Sequence, residues 1–172
     1  MFTKSPDLIW ETDNRGKTAL HWAAYAGKKN IVKHLLSIHP NLLTYSEIGT
    51  TKASRLSFYL KDGFDDTALH WAAYGGDLET VEYLLEYDKN VISVLCPSNN
   101  SILDWALMGG SQEVALYLLN KYPIFIENRD VFDYTPLNWA CYSNQIDIVL
   151  LLLQKKPTLI DNQTKERSTC LR

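Results

Sequence analysis

One ten-residue pattern recurs four times in the chain: residues 18–27 read TALHWAAYAG, 67–76 TALHWAAYGG, 101–110 SILDWALMGG and 135–144 TPLNWACYSN. The starts are 49, 34 and 34 residues apart. A second pattern follows each at a fixed offset: VKHLL at 32–36, VEYLL at 81–85, ALYLL at 115–119 and VLLLL at 149–153. A third closes each unit: PNLL at 40–43, KNVI at 89–92, PIFI at 123–126 and PTLI at 157–160. PDLI at 6–9 lies 34 residues before PNLL, and Thr169 lies 34 after Thr135, so a fragment of a further unit is expected at each end. A recurring period of this length specifies a quasi-linear stack of small units rather than a closed core.

The residues of each unit explain themselves locally. Thr18, Thr67, Ser101 and Thr135 are good helix N-caps, because a hydroxyl accepts from the orphan amides of the first turn. Pro136 stands where a first-turn proline is tolerated. Gly27, Gly76, Gly110 and Asn144, nine residues after each cap, are types that tolerate the left-handed conformation ending a helix. Asp77 and Ser111 can then cap a second helix, which carries the Val-x-x-Leu-Leu stripe. Each unit is therefore a helical hairpin with an apolar face that only a neighbour can cover.

The four-fold Thr-x-Leu-x-x-Ala core resembles the ankyrin repeat over nearly the whole chain. The departures are Asp104 and Asn138 in place of the motif histidine, the Pro-x-Leu-Ile tails and a period of 34. The resemblance implies an all-α ankyrin-repeat solenoid, with stacked helix-turn-helix units and short β-hairpin-like loops. The units expected are a tail at 1–12, repeats at 13–44, 60–95, 96–129 and 130–163, and a start at 164–172. A 15-residue insertion at 45–59 separates the first two repeats. Insertions of this kind map to loops, either tolerated surface or a contact on the binding face. Ser54 and Ser57 beside Lys52 and Arg55 make only a weak phosphosite.

Composition narrows the function. At 46% apolar and 22% charged residues, the chain has enough apolar surface to fold. No apolar run approaches the ~20 residues of a membrane span. No charged-then-apolar leader with a cleavage site is visible, and Cys170 is followed by too few residues for prenylation. The widely spaced Cys96, Cys141 and Cys170 argue against a disulfide scaffold and for a reducing compartment, cytoplasmic or otherwise intracellular. A formal charge of −3 argues against a nucleic-acid partner. No phosphate loop, nucleophile elbow or Cys–His pair is present, and His34 and His39 have no partner at ligand spacing. Asp62, Asp65 and Asp66 cluster at a turn, a poor place to raise a carboxyl pKa for acid–base work. No catalytic residue, cofactor or metal is expected.

The resemblance implies a non-catalytic protein-binding module, part of a larger protein, with contacts at the hairpin tips and the inner face of each first helix. Mapped onto this chain, the candidate contact residues are Arg15, Lys17, Tyr25, Phe64, Asp66, Tyr74, Met108, Phe132, Tyr134 and Tyr142. The set is rich in aromatics, which bury much area for little rotamer entropy. Packing against the adjacent repeat is the competing reading. Trp22, Trp71, Trp105 and Trp139 are expected to pack between first helices, and His21 and His70 to bond to the turn. Residues 13–46 carry a net +4 and residues 62–95 a net −7, a field able to orient a partner. Leu116 and Leu150, at second-helix positions that usually face solvent, make the C-terminal edge apolar. That edge suits a continuing chain, another domain or a second copy. Two alternatives remain. One is a docking part for an enzyme or a bacterial effector acting in host cytosol. The other is a self-associating array.

Overall fold

The computed structural model describes residues 9–39, 66–93 and 98–161. The expected insertion and Phe64 lie outside them. Among the described residues are eight α-helices in four hairpins and no strand. Helices α1 (Ala19–Tyr25), α3 (Ala68–Gly75), α5 (Ile102–Met108) and α7 (Pro136–Tyr142) form one row. Helices α2 (Lys29–Ile38), α4 (Leu78–Tyr87), α6 (Gln112–Lys121) and α8 (Ile146–Lys155) form a second row behind it. The all-α solenoid expected from the repeat is the observed fold.

One requirement fixes the start of every first helix. The side chain three residues after the cap must accept the cap's backbone N–H. His21 Nδ1 accepts from Thr18 N at 3.1 Å and His70 Nδ1 from Thr67 N at 3.1 Å. Asp104 Oδ2 accepts from Ser101 N at 2.7 Å, and Asn138 Oδ1 from Thr135 N at 2.9 Å. The His-to-Asp and His-to-Asn changes thus keep the acceptor while changing everything beyond it. At the other end, Gly27, Gly76, Gly110 and Asn144 adopt positive φ, as the sequence expects.

The core lies between the two rows. Leu20, Leu69, Leu103 and Leu137 from the first helices meet Val32, Val81, Val114 and Ile148 from the second, all buried. The closing PIFI-type segments form 3₁₀ turns that bury Val91, Ile126 and Leu159 under the outer row. Adjacent units are also bonded. Ser111 Oγ donates to Tyr74 O at 3.2 Å and Gln145 Nε2 to Leu107 O at 2.8 Å. Both donors meet carbonyls in the last turn of the preceding repeat's first helix, where backbone donors run short.

The hairpin-like tips are turns held by an aspartate. Asp13 Oδ1 accepts from Arg15 N at 2.8 Å and Lys17 N at 2.9 Å. Asp130 Oδ1 accepts from Phe132 N at 2.8 Å and Tyr134 N at 2.9 Å. Cys141, the one cysteine among the described residues, is disulfide-bonded.

Candidate protein-binding groove

The first helices approach one another unusually closely at their C-terminal ends. A Cβ on Gly75 would lie 2.0 Å from Tyr25 O, and one on Gly109 would lie 2.1 Å from Tyr74 O. No side chain fits there without moving backbone. The glycines therefore set how near α3 sits to α1, and α5 to α3. That spacing brings successive rings into contact along the row.

The rings form a continuous series. Trp22 meets Tyr25 at 6.2 Å between centroids, and Tyr25 meets Trp71 at 6.0 Å and Tyr74 at 6.1 Å. Trp71 meets Trp105 edge-on at 5.2 Å, and Tyr74 meets Trp105 at 5.9 Å. These are edge-to-face or tilted arrangements, which the ring quadrupole favours. Beneath them His21 is buried. Its Nδ1 accepts the Thr18 amide, so Nε2 carries the proton and donates to Asp66 O at 3.2 Å. His21 thereby ties repeat one to the tip of repeat two, the structural role expected of it.

The rings line a cavity of about 500 Å³, with Arg15, Lys17, His21, Asn100 and Met108 completing the wall. Lys17 reaches in from the first tip. Its ammonium stands 3.6 Å from the centroid of Trp71 and 5.0 Å from that of Trp22. Asp13 braces this corner, with Oδ2 accepting from Trp22 Nε1 at 3.1 Å. Its carboxyl is held below the usual carboxylate range, first by the Lys17 amide, then by the Arg15 amide and the Trp22 indole.

Arg15, Lys17, Tyr25, Tyr74 and Met108 of the sequence-based set come together in this groove. Asp66 does not present itself as a contact residue: it is buried, and its carbonyl receives His21. Phe132 and Tyr142 are exposed on the fourth repeat, and Tyr134 lies against Trp139 at 5.4 Å. No ring contact joins Trp105 to Trp139 among the described residues, so Tyr134 and Tyr142, which both meet Trp139, stand apart from the groove series. The tryptophans carry the largest surprise. Trp71 and Trp105 pack between first helices as expected, yet they also wall the groove, and Trp22 is 49% exposed.

Single ankyrin-repeat family models match residues 15–45 and 132–161, and the model described as ankyrin repeats (3 copies) matches residues 46–130. The chain belongs to the ankyrin-repeat family. Members of this family are generally protein–protein interaction modules and typically non-catalytic. No curated protein matches the chain. Within the ankyrin frame, Asp104 is the site of unusual chemistry. Its carboxyl is fully buried and accepts from Ser101 N, Ser101 Oγ and Asn128 Nδ2, while Oδ1 has no partner. Burial pushes its pKa up to about 6. Among the described residues, no group of three His, Cys, Asp or Glu side chains is placed to hold a metal ion. No helix among them is long and apolar enough to cross a membrane.

Proposed function

We propose that the chain is a non-catalytic module that binds a partner protein along the inner face of α1, α3 and α5. The observation that carries this reading is the series of part-exposed rings from Trp22 to Trp105 around a cavity of about 500 Å³. Such a surface gains free energy when another apolar surface displaces its water, and aromatic side chains dominate interface cores. Phe132 and Tyr142 are each exposed on the fourth repeat, outside this ring series, and serve as an internal control. Proteins captured from lysate by the chain should be lost with the double variant Tyr25→Ala, Tyr74→Ala. They should persist with Phe132→Ala, Tyr142→Ala. Unchanged capture by the first variant overturns the groove assignment.

A second reading has its own observation. Helix α8 leaves Ile146 and Leu150 exposed, Leu150 at 60%, while Ile148 and Leu152 are buried. We propose that this edge meets a second copy of the chain. Sedimentation equilibrium should then show a concentration-dependent dimer that Leu150→Glu abolishes, and a monomer at all concentrations removes the idea.

A further inference from the structure

We infer that the groove seats an acidic side chain together with a neighbouring large apolar residue of a partner protein. This rests on the groove being the binding surface and adds the chemistry of what it binds. Lys17 carries the inference. The residue is only 6% exposed, and its ammonium makes no hydrogen bond or close ion pair with any other described residue. A charge withdrawn from water is costly unless it is paired and hydrogen-bonded. The Asp13 carboxylate interacts with the Lys17 charge, but its oxygens accept from the Arg15 and Lys17 amides and the Trp22 indole and not from the ammonium. Arg15 lines the same cavity, and among the described residues no aspartate or glutamate does.

The sign of the missing group follows. A cation would find the faces of Trp22 and Trp71 already covered by the Lys17 ammonium and would be repelled by it. An anion would accept a hydrogen bond from the Lys17 ammonium and meet Arg15 at the rim. The rest of the wall is aromatic, so the residue beside the acid must be aromatic or large and aliphatic. The cavity volume is within the roughly 300–1,000 Å³ of sites that enclose a small ligand, enough for two side chains.

The test is an array of seven-residue peptides in a Gly/Ser background, probed with the 172-residue chain. Each peptide pairs one of Asp, Glu, Asn, Gln, Lys or phosphoserine with a neighbouring Phe, Trp, Leu or Ala. Asp and Glu beside Phe, Trp or Leu should bind about tenfold more tightly than Asn and Gln, the worth of a charge-assisted bond. Lys17→Met, which keeps the stem over the rings, should bring that ratio close to one, and its helical circular dichroism should match the parent chain. The parent chain supplies a readout independent of any variant: added salt should weaken the acidic peptides and leave the amides unchanged. Binding of no peptide, preference for Lys, equal binding of acids and amides, or a ratio untouched in Lys17→Met overturns the inference. Phosphoserine ahead of Asp and Glu also overturns it, in favour of a phosphopeptide. Loss of captured proteins in Tyr25→Ala, Tyr74→Ala with no acid preference on the array leaves the binding surface standing and removes only its proposed ligand.

Discussion

The first three repeats and the fourth are built from the same pattern but joined differently. Where α3 meets α1 and α5 meets α3, a glycine stands against the preceding tyrosine carbonyl. The equivalent residue, at the C-cap of α7, is Ser143, whose hydroxyl is buried without a partner. The ring series runs unbroken from Trp22 to Trp105 and then stops, leaving Tyr142 82% exposed. In this molecule, then, the position of an aromatic groove is decided by where backbone can touch backbone. The aromatic residues themselves are present in all four repeats.

The strongest way to break that comparison is Gly75→Ala. Its Cβ meets Tyr25 O at 2.0 Å, so the stack must open, at a cost of about 3 kcal/mol as for overpacked cores. Ser143→Ala in the fourth repeat should be neutral or slightly stabilising, since it deletes a buried, unbonded hydroxyl. Urea denaturation of the two variants checks both, and equal losses would erase the distinction between the regions.

The second test uses the acceptor position. Asp104 has a folded pKa of about 6 against an ordinary value of 3.8, so the protonated form favours the fold. Its stabilising contribution is fully present below pH 3.8 and is lost as pH rises through 6, by about 3 kcal/mol at 1.36 kcal/mol per unit. Repeat four already carries the neutral equivalent, Asn138. Asp104→Asn should therefore stabilise the chain at pH 7.5, by about 1–2 kcal/mol because its amide N–H groups find no partner at Oδ1, and should flatten the stability profile between pH 4 and pH 7. An unchanged slope would mean that Asp104 ionises normally.

A smaller effect is expected for His21→Asn, which keeps the acceptor for Thr18 N and loses the bond from Nε2 to Asp66 O. That loss should be about 1 kcal/mol in denaturant, and it should shift the N-terminal interface alone, as read by hydrogen exchange in α1 and α3. Smallest of all is Lys29→Ala. The Lys29–Glu79 pair joins repeats one and two at 3.1 Å but lies open to solvent, so its loss should stay below about 0.5 kcal/mol.

Much of this was legible in the residues. The left-handed helix ends and the two rows of helices follow from glycine and leucine at fixed register. Of the second-helix caps, Asp77 accepts from Thr80 N as expected, whereas Ser111 Oγ caps nothing and donates to Tyr74 O. The Gly-Gly pairs were only half legible. Gly76 and Gly110 end their helices at positive φ, but Gly75 and Gly109 answer to a tyrosine carbonyl in the preceding repeat, which no local rule reports. The same limit hid the groove. Whether a tryptophan packs or lines a cavity depends on the spacing of the next helix, and so does the burial of Lys17, which reads as an exposed tip residue. Asp66 misled for the converse reason: its charge suggests solvent, whereas its backbone carbonyl is what the fold uses.

The bonds between units have a direction. Tyr74 O and Leu107 O, at the ends of their helices, receive donors from Ser111 and Gln145 of the following repeat. His21 likewise reaches an acceptor that arrives 45 residues later. During synthesis, His21 Nε2 and Tyr74 O would therefore wait for partners that emerge with the following repeat.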